Sequence, residues 1–327
     1  MALLWNFLVV LFSAAVVILT ADFAIKSSVA IARRFRLSDE LIGMTVLSIG
    51  TSMPEIITHI VGSIKILANP AELHDISGLV IGANIGSDIF QQNFLIGLIG
   101  IIGVIVVHKR HLVKDVGGLI AAAVLLLAFS YNGLISRIEG FILMFLYIVY
   151  LVVLKKYGMM GRDSKIIGDK HDHVMKNLAI VVVSFALMAV AANSLLKNSE
   201  ILVRATPLSA SFFGVILLGI ASAFPEMTTS LIAVLKRKAK ISAGILIGSN
   251  ITNPMFAVGI GALISTYTVP NVSIVFDLPF KIATAFLIFF MLKKGHLKKW
   301  QAASLIGLYI IYLIVRNIYF PVDVFTM

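Results

Sequence analysis

Residues 49–61 read IGTSMPEIITHIV and lie in an apolar run long enough to span a membrane. The run also contains a glycine, two hydroxyl side chains, the helix-breaking Pro54 and the ionisable Glu55, which are costly inside a bilayer. Residues 220–232, IASAFPEMTTSLI, repeat this pattern around Pro225 and Glu226. The repetition indicates one functional site built from two related stretches.

The composition is that of a polytopic membrane protein. Of the 327 residues, 59% are hydrophobic and only 13% are charged, and the mean hydropathy is +1.01. The first apolar run continues to about Ala32 without a small-residue cleavage site, so we expect it to be retained as a span. The absence of cysteine excludes disulfides, zinc-thiolate sites and thiol redox chemistry. The net charge of +11 comes from short loops between spans, which favours contact with membrane lipid and argues against a nucleic-acid partner.

Apolar periodicity predicts ten transmembrane helices. Their ranges are 3–32, 39–67, 76–107, 113–131, 137–154, 177–203, 210–235, 241–268, 276–292 and 299–318. Most lysines and arginines fall in alternate loops, so the positive-inside rule predicts a multi-pass protein of the cell membrane with both termini extracytoplasmic.

The two halves of the chain are related to each other. LSDELIGMTVLSIGTSMPE (37–55) aligns with LSASFFGVILLGIASAFPE at 208–226, an offset of 171 (208 minus 37). IGSDI (85–89) aligns with IGSNI (247–251) at an offset of 162 (247 minus 85), after an insertion that we place in LANPAELHDI. Five spans per half predict an inverted repeat. The predicted organisation is a first repeat at 1–154 with a motif at 48–93, a basic cytoplasmic linker at 155–176, and a second repeat at 177–327 with a motif at 219–255.

Three carboxylates inside the predicted spans, Glu55, Asp88 and Glu226, indicate an ion site, because a buried carboxylate needs a cation or a proton. Pro54 and Pro225 should interrupt helices 2 and 7 and free backbone carbonyls near the membrane centre. The further oxygens available there belong to Thr51, Ser52, Ser222 and Asn250. An all-oxygen set of this kind suits Ca²⁺, with Na⁺ at adjoining positions.

GTSMPE with GANIGSDIFQQN, and ASAFPEMTTS with GSNITNP, resemble the two alpha-repeats of the sodium/calcium exchangers, within the calcium:cation antiporter superfamily. The ten-span layout is similar to that of its prokaryotic members. The resemblance implies a metal site for Ca²⁺ made by Glu55, Glu226, Asp88 and Asn250. It also implies Na⁺ ligands at Ser48, Thr51, Ser52 and Asn84 in the first repeat and at Gly219 and Ser222 in the second.

The chain departs from the family pattern at three places. Asp88 and Asn250 are exchanged between the repeats, which keeps the carboxylate count. Ala223 and Leu246 carry no side-chain oxygen where the family supplies sodium ligands, so one sodium site is weakened. His59 lies four residues after Glu55, on the same helical face, where it either couples protons to transport or faces solvent or neighbouring backbone.

The sequence therefore predicts a secondary antiporter that exchanges Ca²⁺ for Na⁺ by alternating access, without cofactor or obligate protein partner. The first and sixth spans are the expected sliding elements, by resemblance. The alternative within transport is proton-coupled exchange of Ca²⁺ or another divalent cation. An intramembrane enzyme is disfavoured, because EIITH is not an HExxH zinc motif and no serine or cysteine nucleophile motif is present. A channel fits two interrupted inverted repeats less well than a carrier does.

Other polar residues receive smaller roles. We expect Asp22 and Lys26 to form a local ion pair, and Gln91, Gln92 and Asn93 to hydrogen-bond between helices. The hydroxyls of residues 228–230 should bond back to their own helix.

Overall fold

The computed structural model describes residues 2–34, 45, 47–103, 112–156, 174–205, 209–237, 239–293 and 295–323. These residues form ten helical segments. In chain order they are α1 (Ala2–Arg34), α2 (Ser48–Thr51 and Met53–Ala68), α3 (Pro70–Ile102), α4 (Leu112–Ser130), α5 (Arg137–Lys156), α6 (Val174–Arg204), α7 (Ala210–Leu235), α8 (239–264), α9 (Ser273–Leu292) and α10 (Lys299–Tyr319). Among the described residues, eight helices are long and apolar enough to cross a membrane. The predicted all-α membrane fold is confirmed.

Most predicted spans agree with the observed helices, with differences at the ends. Residues 70–76, expected in an inserted loop, already form the first turns of α3. Residues 157–173, the main part of the predicted linker, and 39–44, the predicted start of the second span, lie outside the described residues, as do 104–107. Lys155 and Lys156, expected in the linker, end α5.

The centre of the molecule is formed by α3 and α8. In their most apolar stretches, 78% and 89% of the residues are buried, against 22% in α5. The outer helices instead expose large apolar side chains such as Phe12, Phe145 and Ile311, as expected of a surface that faces lipid. The residues that carry the polar motifs therefore lie where protein, and not lipid, surrounds them.

Glycines let α3 approach α7 closely. A Cβ atom at Gly86 would lie 2.2 Å from the carbonyl oxygen of Val215, and one at Gly219 would lie 2.7 Å from the backbone nitrogen of Ser87. Only a residue without a side chain fits such contacts. This packing brings the interruption of α7 beside the segment of α3 that holds Asp88.

A short antiparallel strand pair links the two halves. Leu134–Ile135 (β1) pairs with Tyr267–Thr268 (β2), and the backbone nitrogen of Val269 donates to the carbonyl of Gly133 at 2.8 Å. Gly133 has φ 80°, a conformation that favours glycine at the turn after α4. The pair fixes the end of α4 against the segment that follows α8.

The two central helices each contain a wide π-helical turn. One covers Phe90–Leu95 in α3 and the other covers Asn253–Ala257 in α8. The first begins directly after IGSDI (85–89), and the second begins one residue beyond the end of IGSNI (247–251), with Thr252 between them. Such turns are frequent at functional sites, because they shift the side chains that follow.

Candidate cation site

Both motif glutamates follow a one-residue interruption of their helix. In α2 the helix is interrupted at Ser52, where ψ is 6°, and Glu55 lies in the first turn of the segment that resumes at Met53. In α7 the interruption is at Ala223, where ψ is −1°, and Glu226 occupies the equivalent first turn. The repeated motif therefore produces the same local backbone twice.

The interruptions leave the backbone carbonyls of Ser48 and Gly219, two of the positions expected to bind Na⁺, in hydrogen bonds. The carbonyl of Ser48 accepts from the backbone nitrogen of Ser52 at 3.1 Å, and that of Gly219 accepts from Ala223 at 3.2 Å. The physical reason is the spacing, because a proline removes the donor to the carbonyl four residues earlier, which belongs to Gly50 for Pro54. A cation at Ser48 or Gly219 would compete with these hydrogen bonds.

Glu55 and Glu226 are buried and close enough to interact electrostatically, with side-chain exposures of 2% and 0%. Ser87 Oγ donates to Glu55 Oε1 at 2.7 Å. Ser222 from the other repeat lies against Glu55, and Thr51 lies against Glu226. Each glutamate is thus approached by a hydroxyl from the opposite repeat.

Three glutamate oxygens remain without a hydrogen-bond partner within the described part of the chain. They are Oε2 of Glu55 and both carboxylate oxygens of Glu226. Buried carboxylate oxygens without donors are costly unless a cation or proton satisfies them. These oxygens can therefore ligate a cation.

Asp88 is held by two donors from distant parts of the chain. Asn253 Nδ2 donates to Asp88 Oδ1 at 2.8 Å, and the ammonium of Lys281 in α9 forms an ion pair with Asp88 Oδ2. Asn250, its counterpart, donates to the carbonyl of Leu246 at 2.9 Å and lies 3.5 Å from Gln91 Oε1. Within the described ranges, no three carboxylate, imidazole or thiol groups form a metal-binding cluster.

The predicted sodium ligands line the same region. Thr51 Oγ1 lies 3.2 Å from Ser249 Oγ, and Ser48 Oγ lies 3.1 Å from Thr252 Oγ1. Asn84 donates to the carbonyl of Asn253 at 3.1 Å.

One predicted ligand bonds within its own helix, and two others retain an unused oxygen. Ser222 donates to the carbonyl of Gly219 at 3.2 Å. The Ser52 hydroxyl and Asn84 Oδ1 are buried with no partner in the described ranges, so both remain available to an ion.

A cavity reaches the site from the side of α1. It is lined by the polar residues Glu55, His59, Asn84 and Ser222 and by apolar side chains that include Val17 of α1. The first helix thus forms one wall of the space beside Glu55.

His59 is buried and does not face solvent. Its Nδ1 lies 3.1 Å from the hydroxyl of Tyr267, which also lies 2.6 Å from Ser63 Oγ. Nε2 of His59 has no hydrogen-bond partner among the described residues, and the side chain lines the cavity beside Glu55. The imidazole and Glu55 thus line the same cavity.

Most of the smaller predictions are confirmed by contacts, and the one for Thr228 stays a prediction. Lys26 pairs with Asp22 at 2.5 Å, on an exposed face. Gln92 bonds from α3 to Thr284 of α9 at 2.5 Å. Thr229 bonds back to the carbonyl of Pro225 at 2.7 Å, and Ser230 bonds back to that of Glu226.

Three residues of the site were not singled out in the sequence: Ser87, Asn253 and Lys281. Lys281 gave a usable signal, since an ionisable residue inside a predicted span indicates function by default. Ser87 and Asn253 gave none, because serine and asparagine are frequent partners between membrane helices.

Comparison with known proteins identifies relatives along most of the chain. The family model described as sodium/calcium exchanger protein matches residues 5–156 and 176–317. The inner membrane protein YrbG of Escherichia coli is 27% identical over 259 residues, which cover 76% of this chain and 77% of that protein. The sodium/calcium exchanger MaX1 of Methanosarcina acetivorans is 24% identical, with coverages of 95% and 98%.

The fold also matches a solved exchanger. The sodium-calcium exchanger NCX_Mj, soaked with 100 mM Na⁺ and 10 mM Sr²⁺, superposes with a TM-score of 0.66 at 25% identity. The match covers 95% of this chain and 98% of that one. The likeness therefore extends over both halves of the molecule.

Proposed function

Because the chain belongs to the sodium/calcium exchanger family, we propose that it is a secondary active antiporter that exchanges Ca²⁺ for Na⁺ across the cell membrane. The coarser statement, a multi-pass membrane exchanger of cations, follows from the family and the fold. The observation that supports the finer proposal is the pair of buried glutamates with three unsatisfied oxygens between two interrupted helices.

The chemistry of the site favours a hard cation. Glu55 and Glu226 supply two negative charges, and Ser52, Thr51 and Asn84 add neutral oxygens nearby. Carboxylate, hydroxyl and amide oxygens are ligands that calcium and sodium prefer. The two carboxylates cannot stay unpaired in the membrane interior, so one divalent ion and a set of monovalent ions compete for them.

Alternating access requires that helices beside the site move relative to the rest of the protein. We assign that movement to α1 and α6. These helices pack along each other and form a small apolar cluster of Val17, Ala21, Met188 and Ala191, separate from the main core. Two helices that contact each other more than they contact the rest of the protein can slide as one body. In this proposal both termini and the 155–176 linker keep the orientation that the basic loops predict.

Proton-coupled exchange of divalent cations is the second candidate. Ala223 and Leu246 remove two sodium oxygens, and His59 lines the cavity beside Glu55. Substituting His59→Gln tests whether the histidine takes part in proton coupling. A changed pH dependence of transport supports proton coupling through His59, and an unchanged one removes the histidine from the mechanism.

The proposal is tested by calcium-45 uptake into liposomes that contain the purified protein. Uptake is driven in parallel by an outward sodium gradient and by a pH gradient of either sign, with protein-free liposomes as control. We expect uptake that requires internal sodium. Uptake driven only by the pH gradient selects the second candidate, and uptake under neither gradient contradicts calcium exchange.

A further inference from the structure

The ion pair of Lys281 and Asp88 is buried at the centre of the molecule. Both side chains have 0% exposure, and the lysine is the only cation paired with a site carboxylate in the described ranges. The surrounding contacts fix its position, because the carbonyl of Lys281 accepts from Gln92 at 2.8 Å and Asn253 holds the other oxygen of Asp88. A buried charge pair is a costly way to pack two helices, since apolar residues of similar volume often serve as well.

The pair joins the two repeats, and its counterpart under the repeat relation is absent. At the offset of 162, Asp277 corresponds to Asp115 (277 minus 162) and Tyr312 corresponds to Tyr150 (312 minus 162), so α9 and α10 align with α4 and α5. Lys281 then corresponds to Leu119 (281 minus 162). Asp88 of the first repeat thus pairs with Lys281 of the second, whereas the positions related to them by the repeat hold Asn250 in the second repeat and Leu119 in the first.

This difference sets the charge of the site. Glu55, Asp88 and Glu226 contribute three negative charges, and Lys281 contributes one positive charge, which leaves a net charge of minus two. One divalent cation, or two monovalent cations, neutralises such a site. A site with three unpaired carboxylates would instead accept an additional monovalent cation.

We propose that Lys281 is a tethered cation that permanently neutralises Asp88, so that the exchanger moves one divalent cation against two monovalent cations without net charge. The proposal rests on the proposed function and specifies its coupling ratio. The ammonium occupies the position where a third monovalent ion would approach Asp88. Such an ion and the ammonium would repel each other strongly, because the interior has a low dielectric constant. Because the ammonium is covalently attached, it does not leave with the transported ions. Lys281 acts on the transported ions through Asp88.

The test measures calcium accumulation in liposomes under a clamped membrane potential. Liposomes with the purified full-length protein and a fixed outward sodium gradient are held at 0 or −100 mV with potassium and valinomycin, and calcium-45 is followed until it stops accumulating. An exchange that moves one net charge per cycle shifts the final accumulation ratio by about 50-fold, from about 2.3 kcal/mol per charge per 100 mV. For the wild type we expect no shift. A shift of that size overturns the proposal.

The variants Lys281→Met and Asp88→Asn/Lys281→Met separate the charge from the packing. We expect Lys281→Met to bind a third monovalent ion and to show the 50-fold shift, and the double variant to exchange without a shift. If the ion pair were only structural, Lys281→Met would change the amount of folded protein, and the calcium accumulation ratio would still not depend on the membrane potential. Lys197→Met, at an exposed lysine of α6, is the matched control and should behave as wild type.

Folding is checked by size-exclusion chromatography for every variant. If Lys281→Met is not recovered folded, the double variant carries the test, and its loss of exchange while folded overturns the proposal. A folded Lys281→Met that transports without a shift also overturns it. A wild type that moves no calcium under either gradient refutes the proposed function itself, and the coupling ratio with it.

Discussion

The hydroxyl of Ser87 donates to Oε1 of Glu55 over 2.7 Å and so connects α3 to the interrupted helix α2. The direction of this hydrogen bond is fixed, because Gln91 Nε2 donates to the Ser87 oxygen at 2.9 Å and leaves the hydroxyl proton for the carboxylate. One oxygen of Glu55 is therefore held in place while the other has no partner within the described ranges. This arrangement orients the free oxygen for a cation.

Replacing Ser87→Ala should weaken calcium binding. A hydrogen bond to a charged group contributes about 1.5–3 kcal/mol, so we expect the calcium concentration for half-maximal flux to rise at least about tenfold. Ser130→Ala is the control, because its buried hydroxyl donates to the carbonyl of Leu126 within α4 and touches no carboxylate. Equal effects of the two substitutions would contradict an orienting role for Ser87.

Substituting Glu55→Gln or Glu226→Gln should abolish exchange in both directions. Each change removes one of two charges that a divalent cation needs, while the amide keeps the shape of the side chain. We expect calcium-45 flux at the level of protein-free liposomes. Asp22→Asn, at an exposed residue paired with Lys26, should retain wild-type flux. Calcium uptake retained by either glutamine variant would remove that glutamate from the site.

Gly86→Ala should destabilise the protein. The added Cβ would lie 2.2 Å from the carbonyl oxygen of Val215, so α3 and α7 must separate. Overpacking of this kind costs typically about 1–3 kcal/mol. Gly307→Ala is the matched control, because a Cβ there meets nothing within 4 Å and alanine favours the helix. Thermal unfolding in detergent should show a lower Tm for Gly86→Ala only.

Arg316→Met should also destabilise the protein, through a second buried ion pair. Arg316 Nε lies 3.2 Å from Asp277 Oδ1, and Tyr312 donates to the same oxygen at 2.8 Å. Removing the guanidinium leaves a buried carboxylate without its cation, which costs about 3–5 kcal/mol. The double variant Asp277→Asn/Arg316→Met should recover most of the lost stability. A double variant as unstable as the single one would show that packing, and not charge, explains the loss.

Much of the fold was predictable from local sequence. The ends of α5, α7 and α10 agree with the apolar periodicity to within two residues, because membrane spans are selected by hydropathy over their whole length. The start of α3 was not predictable in this way, because LANPAELHDI is too polar to read as a span although its last residues are helical. The helix interruptions at Ser52 and Ala223 each affect only one residue. This could not be predicted, because it depends on backbone hydrogen bonds that the sequence does not show.

The sequence by itself determined the class of protein, the internal repeat and the two glutamates, because hydropathy and motif spacing are properties of short segments. Only the tertiary structure decided which groups those residues meet. Asp88 and Lys281 are 193 residues apart, and their ion pair exists because α3 packs against α9. Ser87 reaches Glu55 because α3 also packs against α2, and Gly86 lies against Val215 because α3 packs against α7. The free energy of a buried charge depends on its neighbours in space, and the cation that neighbours Asp88 comes from the opposite half of the chain.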